Sequence, residues 1–413
     1  MKWPRKKLGQ VADFLLGKML DEKKNKGEFL PYLANVNVRW GSFELGSLRE
    51  MRFESHEHER YGLQFGDIVM CEGGEPGRCA IWKNQVPGMM FQKALHRIRP
   101  TAEVDVGFLY YSFLNRGKNG GFDQYCTGST IKHLPRQNLA LVEVEVPPLT
   151  MQKQIATTLA AYDDLIENNT RRIEILEEMA RRLYEEWFVQ FRFPGHEGVG
   201  LKENELGLIP ERWRIAPIKE TYYDLFDGPH ATPKKCDSGP VFLGIKNIRA
   251  EGGLDLAAAQ HISDDDFPKW TKRVTPQEGD IVFSYEATLN RYAIIPKSFN
   301  GCLGRRLALI RPKPSFRSFL YLHFFSSDWR EVVARNTLSG ATVDRIPLSS
   351  FSDFPLLLPP EVIARKFEAV SSPILKLIES LAAKSANLRA QRDLLLPKLI
   401  SGEIDVSDIP MPT

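Results

Sequence analysis

The strongest constraint in this sequence is an internal repeat. The segment QFGDIVM, which begins at Gln64, returns as QEGDIVF from Gln277, with the shared Gly-Asp-Ile-Val shifted by 213 positions (280 minus 67). Other segments also recur in the same order, with YLANVNVRW matching FLGIKNIRA, FLYYSF matching FLYLHF, and VPPLTMQKQI matching LPPEVIARKF. Their offsets all lie between 210 and 213 residues. Order kept along most of a chain predicts two copies of one structural unit.

Each copy has a strand-rich part followed by a helical part. The 413 residues exceed the roughly 250 that one core normally serves, which agrees with a duplicated architecture. Short β-branched and aromatic runs, punctuated by glycine and proline, predict strands over about 120 residues of each copy. A double proline ends this pattern, at Pro147-Pro148 in the first copy and at Pro359-Pro360 in the second.

The helical parts carry apolar residues at alternating spacings of four and three, which is typical of a coiled-coil seam. The seam positions are Ile155, Leu159, Tyr162, Ile166, Asn169, Ile173, Leu176, Ala180, Leu183 and Trp187 in the first copy, and Ile363, Phe367, Val370, Ile374, Leu377, Leu381, Lys384, Leu388, Gln391 and Leu395 in the second. Polar seam residues such as Asn169, Lys384 and Gln391 lower stability but help to fix register and partner.

A narrow apolar stripe needs a partner helix, and the simplest partner is the other helix of the same chain, although a homodimer would satisfy it equally. If a pseudo-twofold axis relates the two copies, the helices run antiparallel. The 33 residues from Ile155 to Trp187 then form a rod of roughly 50 Å, at about 1.5 Å per residue. Two DNA half-sites one helical turn apart are separated by about 34 to 36 Å, so the rod has the scale of a spacer between two DNA readers.

Composition excludes several classes of protein. The sequence has no apolar run of 18 or more residues, which argues against a membrane span. Its basic N-terminus lacks the features of a signal peptide, so a cytoplasmic location is expected. The cysteines are scattered without C-x-x-C spacing, at Cys71, Cys79, Cys126, Cys236 and Cys302, and indicate buried thiols rather than disulfides or a zinc site.

Catalytic motifs are also missing from the sequence. The double prolines read VPPL and LPPE, not the Asn/Asp-Pro-Pro-Tyr/Phe of an adenine methyltransferase, and there is no G-x-x-x-x-G-K-[ST] phosphate loop. The glycine-rich CEGGEPGRC is interpreted as a tight loop, and HEH at His56 lacks further ligands at metal-site spacing. Ser263 followed by three aspartates favours a helix N-terminus over a cation site. The chain is therefore predicted to be noncatalytic.

The chain resembles the DNA-specificity subunits of type I restriction-modification systems. The resemblance rests on the order PPL and QKQI, LAAYDDLIENNTRRIEILEEMARRLYEEWF, FRFPG, ELGLIPERW opening the second copy, and LLLPKLISGEI near the end. It implies an α+β fold with two similar strand-rich target-recognition domains, separated by two long helices that form an antiparallel coiled coil. The second copy departs from the pattern, because Arg365-Lys366-Phe367 stands where the first has QKQI. This departure leaves open which helix face docks partner subunits.

The resemblance also implies a division of the chain. Target-recognition domains are expected at residues 1–147 and 213–358, helical spacers at 148–193 and 359–402, a linker at 194–212 and a C-terminal tail at 403–413. Each recognition domain would read one half of an asymmetric bipartite site in double-stranded DNA.

In the implied function, this subunit assembles with methyltransferase subunits, expected to be two, and with restriction subunits, without any membrane. No cofactor is expected on this chain, while S-adenosylmethionine, ATP and magnesium are expected in the partner subunits. Two alternatives remain: a protein-interaction scaffold of two modules held by a coiled coil, or the recognition fragment of a fused restriction-methylation enzyme. The second would need catalytic motifs that this sequence lacks.

Residues that read DNA are sought among exposed cations and amides, because Arg or Lys contacts guanine and Asn or Gln contacts adenine. The candidates are Asn37, Arg39, Arg49, Arg52, Arg60, Arg78, Lys93 and Lys132 in the first copy, and Lys246, Asn247, Arg249, Lys269, Lys272, Arg273, Arg291, Arg305, Arg306 and Arg345 in the second. The Asn-x-Arg pairs that recur in both copies predict a shared role, such as turn structure or phosphate positioning. Arg52 and Arg273 differ between copies and are predicted to read bases.

Overall fold

The computed structural model describes residues 3–205, 207–257, 259–340 and 343–407. Part of the predicted C-terminal tail, 408–413, and the first two residues of the predicted first recognition domain lie outside these ranges. The chain divides into two compact units: unit 1 comprises Met1–Glu167 and Asn387–Thr413, and unit 2 comprises Asn168–Ala386. The boundaries fall inside the two long helices, so each unit contains part of each helix.

Unit 1 is a mixture of short strands and helices that precedes the first long helix. In chain order its elements are β1 (Arg5–Lys7), α1 (Leu8–Val11), β2 (Ala12–Leu16), β3 (Glu28–Leu33), β4 (Val38–Arg39), β5 (Ser42–Phe43), β6 (Arg49–Phe53), α2 (His58–Tyr61), β7 (Ile68–Cys71), β8 (Cys79–Ile81), β9 (Met90–Phe91), β10 (Leu95–Pro100), α3 (Val106–Lys118), α4 (Arg136–Leu139), β11 (Glu143–Glu145) and the long helix α5 (Leu149–Tyr184), whose second half belongs to unit 2.

Unit 2 repeats this composition after the end of α5. Its elements are β12 (Leu201–Asn204), β13 (Gly207–Pro210), β14 (Arg214–Pro217), β15 (Tyr222–Asp227), β16 (Cys236–Leu243), β17 (Gln260–His261), α6 (Phe267–Trp270), β18 (Ile281–Ser284), β19 (Tyr292–Ile294), β20 (Gly301–Leu303), β21 (Leu307–Pro312), α7 (Arg317–His323), α8 (Ser327–Asn336), β22 (Leu338–Ser339), β23 (Asp344–Arg345), α9 (Leu348–Phe351), β24 (Pro355–Leu358) and the long helix α10 (Glu361–Ile400), whose second half belongs to unit 1.

Both units contain the same four-stranded antiparallel sheet. Its strand order is β2-β10-β7-β8 in unit 1 and β15-β21-β18-β19 in unit 2. The registers also agree, because Ile68 pairs with Ile98 in unit 1 and Ile281 pairs with Ile310 in unit 2. A three-stranded sheet accompanies each, with order β6-β3-β9 and β17-β16-β20. The α+β class and the internal repeat predicted from the sequence are confirmed.

The repeated Gly-Asp-Ile-Val phrase forms the turn into the central strand of each sheet. Gly66 and Gly279 have φ of +90° and +87°, which glycine adopts without steric cost. The next residue, Asp67 or Asp280, is buried, and its carboxylate accepts from the backbone of the glutamine three positions earlier at 2.8 and 2.9 Å. Each aspartate also binds an arginine of the adjacent strand, Arg99 of β10 or Arg311 of β21, through both Nε and Nη2. The phrase is structural in both units.

In unit 1, a hydrogen-bonded network attaches α5 to the strand-rich part of the unit and to α10. The Tyr111 hydroxyl of α3 donates to Asp163 of α5 at 2.8 Å, and the other oxygen of Asp163 pairs with Arg392 of α10. Earlier on α5, Gln154 donates to the backbone of Ser407, beyond the end of α10. Contacts therefore move backward along α10 as α5 advances, so the two helices run antiparallel in unit 1.

In unit 2, aromatic side chains attach the C-terminal end of α5 to α7 and to α10. Phe188, just after α5, packs edge-on against Phe319 of α7 and Phe367 of α10, with both ring centroids 4.7 Å away. The Tyr184 hydroxyl lies 2.8 Å from Nδ1 of the buried His323 on α7. In both units a tyrosine hydroxyl joins α5 to the strand-rich part of the unit. The tyrosine lies on α3 in unit 1 and on α5 in unit 2.

The second copy lacks the QKQI sequence, and the structure shows that different residues attach the starts of α5 and α10. The Gln152 side chain is fully buried and bonds to the backbone of Glu103, Asp105 and Pro147, which fastens the start of α5. The repeat places Ala364 at the equivalent position of α10, where it is buried without polar contacts to make. There Glu368, one turn later, accepts from the backbone of Ser318 at 2.8 Å. A different residue therefore fastens the second helix.

All ten predicted seam positions of the first helix are buried or half-buried. Trp187 lies in a π-helical turn, Glu185–Val189, that follows the end of α5. The predicted linker, 194–212, contains the antiparallel strands β12 and β13, and Ile209 of β13 is buried in the core of unit 2.

The predicted seam of the second helix is wrong at alternate positions. Val370, Leu377, Lys384 and Gln391 are exposed, whereas the residue after each one, Ser371, Ile378, Ser385 and Arg392, is buried or half-buried. The sequence pattern favoured the larger apolar side chains, but small serines occupy the inner face. Their hydroxyls donate to the backbone oxygens four residues earlier, at 2.7 Å for Ser371 and 2.9 Å for Ser385, so burial leaves no hydroxyl unsatisfied.

All five cysteines are free thiols, of which Cys71, Cys79 and Cys302 are buried. Burial raises the pKa of these three thiols above its ordinary value, so they are poor nucleophiles. Among the described residues, no helix is both long enough and apolar enough to cross a membrane.

The corrected seam predicts that two leucines of α10 differ in their contribution to stability. Leu381 is 2% exposed and Leu377 is 39% exposed. Leu381→Ala should lower the free energy of unfolding by about 2 to 5 kcal/mol because it leaves a cavity, whereas Leu377→Ala should cost less than about 1 kcal/mol. Urea unfolding of the full chain measures both. Equal losses would contradict the corrected seam.

Burial of His323 predicts a pH dependence of stability. Desolvation lowers its pKa from 6.5 to about 4, so the folded chain keeps the imidazole neutral where the unfolded chain protonates it. The unfolded state then binds the extra proton, and stability should fall as pH falls from about 6.5 to about 4, by up to about 3 kcal/mol. His323→Gln should remove this part of the pH dependence, whereas exposed His56→Gln should leave it. An unchanged pH profile in His323→Gln would refute the assignment.

Candidate nucleic-acid interface

Five arginines predicted from the sequence lie around one end of the four-stranded sheet of unit 2. Because the strands are antiparallel, the end of β15, the start of β21, the end of β18 and the start of β19 meet there. We call this end the arginine edge of unit 2; its cations are Arg273, Arg291, Arg305, Arg306 and Arg345. Arg291 precedes β19, while Arg305 and Arg306 precede β21.

Backbone contacts tie these segments together. The amide of Tyr285 donates to the carbonyl of Arg306 at 3.1 Å, and the amide of Ala287 donates to Asp344 at 2.9 Å. Glu286 pairs with the backbone of Arg345, and its carboxylate lies 3.2 Å from Nε of Arg306. Arg306 has a φ of +72° and Ala287 one of +69°, an uncommon conformation for residues other than glycine. The loops are held in fixed, partly strained positions.

Arg273 reaches the same edge from the segment after α6. Its Nη1 donates to the carbonyl of Gly228 at 3.2 Å and lies 3.3 Å from Oδ2 of Asp227, the last residue of β15. His230 places Nε2 2.7 Å from that same oxygen, and the Tyr285 hydroxyl donates to Oδ1 at 3.0 Å. Sequence reasoning named Arg273 but missed Asp227, His230 and Tyr285.

A signal for the missed residues was present in the repeat. The sheet registers make Leu16 of unit 1 equivalent to Asp227 of unit 2. Each lies two residues after the residue that pairs with the equivalent isoleucine, which is Ile98 in unit 1 and Ile310 in unit 2. A carboxylate in one copy where the other copy has leucine marks a site particular to that copy. The register that makes this comparison possible comes from the strand pairing.

Other candidates of unit 2 lie apart from these contacts. Lys246, Lys269 and Lys272 are exposed. Lys269 belongs to the short helix α6, and the preceding Ser263 hydroxyl accepts from the backbone of Asp266 at 3.2 Å, as expected for a helix start rather than a cation site.

The equivalent edge in unit 1 carries fewer free cations. Nη1 of Arg78 pairs with Glu75 at 2.7 Å and Nη2 donates to the carbonyl of Asn35, while Lys132 pairs with Asp123 at 2.9 Å. Lys93 is exposed just before β10. Glu72, which follows β7, lies 3.0 Å from Nδ1 of His133. Equivalent ends of the two sheets therefore present different polar groups.

A second basic surface of unit 1 lies on β3 and β6. The Arg52 guanidinium stacks 4.6 Å above the exposed ring of Phe29, its cross-strand neighbour, and donates to the carbonyl of Gly27. Arg49, at the start of β6, is exposed, and Arg60 packs against the ring of Tyr61. An arginine stacked on an exposed aromatic side chain is a planar surface that suits a base.

The recurring asparagines are structural, and their inclusion among the DNA-contacting residues was wrong. Asn37 and Asn247 are 5% and 3% exposed. Each accepts from the backbone amide three residues earlier, that of Ala34 or Gly244, at 3.0 Å, and donates to a backbone carbonyl of the following loop. Both side chains are buried and bonded within a turn, which indicates a structural role.

The recurring arginines are also occupied. Arg39 binds both carboxylate oxygens of Glu44, at 2.9 and 2.8 Å, and donates to two backbone carbonyls. Arg249 lies 3.6 Å from Glu177 of α5, whose pKa is raised mainly by burial. The asparagines of the shared Asn-x-Arg pairs hold a turn in each unit, and a phosphate-positioning role of the arginines stays a prediction.

The described residues contain no group of three or more His, Cys, Asp or Glu side chains that could hold a metal ion. Nε2 of His58 lies 3.3 Å from Glu28, and His56 is exposed.

The structural role of the asparagines predicts an effect on stability. Asn247→Ala leaves the amide of Gly244 and the carbonyl of Asp255 without their partner, which should lower the free energy of unfolding by about 1 to 3 kcal/mol. Lys246→Ala, at the exposed neighbouring position, should change it by less than about 0.5 kcal/mol. Urea titration compares the two variants. A stable Asn247→Ala variant with an altered DNA preference would reverse the assignment.

Comparisons with known proteins agree on one family. Residues 1–178 match the family model of the type I restriction modification DNA specificity domain. Among curated proteins of Methanocaldococcus jannaschii, the MjaIX specificity subunit is 26% identical over 83% of this chain and 79% of its own length, and the MjaVIII specificity subunit is 24% identical over 68% and 63%. Both belong to type I restriction enzymes.

A solved structure shows the same fold. The type I restriction-modification S subunit from M. genitalium superposes with a TM-score of 0.60 at 14% identity, covering 97% of this chain and 96% of that protein. The resemblance found in the sequence is thereby confirmed, and the chain is similar to the specificity subunits of type I restriction-modification systems over most of its length.

Proposed function

We propose that this protein is the noncatalytic DNA-sequence specificity subunit of a type I restriction-modification complex, and that each of its two recognition folds reads one half of an asymmetric bipartite site. One observation carries the proposal: the same sheet is built twice, and its equivalent ends present different polar groups. A single scaffold repeated with different reading residues suits two different half-sites.

The chemistry of the arginine edge supports DNA as the ligand. Two of the five arginines pair with acids at this end of the sheet, Arg273 with Asp227 and Arg306 with Glu286. Arginine donors suit both the phosphate backbone and the acceptor edge of guanine. Arg305, which is exposed, would contact phosphate and position unit 2, and Arg273 would read a base.

Unit 1 would read its half-site with other residues. Arg78 and Lys132 are paired with acids, which leaves Lys93 as an exposed cation of that sheet end and Arg52 as an arginine stacked on an aromatic ring. Fewer free cations and an exposed ring favour stacking and shape over several guanine contacts.

The long helices would form the spacer and the docking surface. We propose recognition domains at 1–147 and 213–358, spacers at 148–193 and 359–402, and a spacer rod of roughly 50 Å. Large apolar side chains remain exposed on both helices: Leu165, Ile175, Met179, Val362, Val370, Leu377 and Leu394. Exposed apolar surface of this kind marks protein interfaces. Two methyltransferase subunits and the restriction subunits would cover it and supply S-adenosylmethionine, ATP and magnesium chemistry.

Binding of one bipartite duplex tests the proposal. The site is identified by mapping methylated adenines in the source cell with and without this gene, and gel shifts with the methyltransferase partner present are then recorded over increasing salt. Specific binding that weakens as salt rises is expected, because phosphate contacts release counterions. If no duplex is bound with the partner present, the proposed function is wrong and a protein-interaction scaffold becomes the better description.

An arginine variant sharpens this test. Arg305→Ala should weaken binding to all duplexes about equally and lower the slope of log K against log salt by about 1, as expected for one lost phosphate contact. Arg335→Ala is the matched control, because Arg335 is an exposed arginine of the same unit that pairs with Glu331 on α8. Equal effects of the two substitutions would argue against a specific contact by Arg305.

A further inference from the structure

We propose that Asp227 is a positioning residue which holds Arg273 so that it reads a guanine in the half-site recognised by unit 2. This inference rests on the proposed DNA-binding function and adds to it a base identity and a residue that acts through another. It follows from which nitrogens of Arg273 are bonded and which donors the two carboxylate oxygens of Asp227 accept from.

Both oxygens of Asp227 are occupied. Oδ1 accepts from the Tyr285 hydroxyl at 3.0 Å, and Oδ2 is shared by Nε2 of His230 at 2.7 Å and Nη1 of Arg273 at 3.3 Å. Tyr285 is 5% exposed, so its hydroxyl fixes the carboxylate from the core side. The carboxylate of Asp227 therefore accepts from Arg273 through Oδ2 alone.

This single contact differs from the pairing that an arginine makes elsewhere in the unit. Arg311 binds Asp280 with Nε and Nη2, both at 2.9 Å, so both nitrogens on one edge of its guanidinium are bonded. Arg273 uses only Nη1, which donates to Asp227 and to the carbonyl of Gly228 at 3.2 Å. Among the described residues, neither Nε nor Nη2 of Arg273 donates a hydrogen bond.

The edge left free has the geometry that guanine requires. Nε and Nη2 lie side by side in the guanidinium plane, and guanine presents O6 and N7 side by side in the major groove. The Arg273 side chain is 53% exposed, so this edge is open to a ligand, while the contacts of Nη1 restrict its orientation. A bidentate contact made by a pre-positioned arginine loses little conformational entropy on binding.

The backbone around this group is shaped for close approach. A Cβ atom at Gly228 would lie 2.5 Å from the carbonyl oxygen of Gly304 and 2.8 Å from that of Leu307, so only glycine fits between these strands. The carbonyl that anchors Arg273 is thereby held against the loop that carries Arg305. In unit 1 the position of Asp227 is Leu16, which has no carboxylate, so the arrangement belongs to unit 2 alone.

The test uses the full chain with its methyltransferase partner and a pool of duplexes randomised in both half-sites. The unsubstituted protein should select a guanine at one position that Arg273→Lys no longer selects, with a loss of about tenfold in preference over adenine, because lysine is a point charge. Asp227→Asn should lower the preference at that same position by about as much. Its affinity for non-specific duplex should be kept or raised, because a negative charge has been removed. The double variant should lose little more than either single variant, since both act on one contact.

Asp280→Asn is the matched control, because it weakens another Asp–Arg pair of the same sheet, at the other end of β18. It should lower thermal stability and leave the base preferences unchanged. The inference is overturned if Asp227→Asn weakens all duplexes equally, alters the same bases as Asp280→Asn, or leaves the guanine preference intact. In each of those outcomes the unsubstituted protein still binds its bipartite site, so the proposed function stands. Absence of any selected sequence would instead count against both.

Discussion

A buried aspartate at the start of the central strand is the interaction on which each recognition fold depends. Asp67 or Asp280 closes a turn through a backbone amide and binds both nitrogens on one edge of an arginine on the neighbouring strand. A carboxylate at this depth is tolerated because its hydrogen bonds and its charge are satisfied together. The contact joins the two central strands at one end, and the loops of the arginine edge lie at the opposite end in unit 2.

Those opposite ends differ between the units, because a fixed strand register constrains the backbone but not the side chains beyond the strand. Unit 2 places arginines there around Asp227, whereas unit 1 pairs Arg78 and Lys132 with acids. The same division applies to arginines in general. Arg311 donates from both nitrogens of one guanidinium edge to a carboxylate and stabilises the fold. In Arg273 the edge formed by Nε and Nη2 makes no such bonds to the described residues. Whether an arginine can bind a ligand depends on which of its donors the fold leaves unused.

The long helices show how polar residues specify packing that apolar residues alone leave open. On α10, serines lie on the inner face and return their hydroxyls to their own helix, so they allow close approach without unsatisfied groups. In unit 1 the Asp163–Arg392 pair joins α5 and α10 at one position, and Tyr111 ties the same aspartate to the recognition fold. A slip of either helix would separate these charges at a half-buried site, which opposes any other register.

The sequence by itself determined the duplication, the α+β class, the positions of the two long helices and the family resemblance, because each depends on a pattern that is local or that repeats along the chain. It also indicated that the recurring Asn-x-Arg pairs serve the scaffold. Only the tertiary structure decided which face of α10 is buried, since serine at a seam is indistinguishable from a surface serine until its hydroxyl is seen to bond backward. It alone showed that Asp227, His230 and Tyr285 surround Arg273, because residues separated by up to 58 positions meet only through strand pairing.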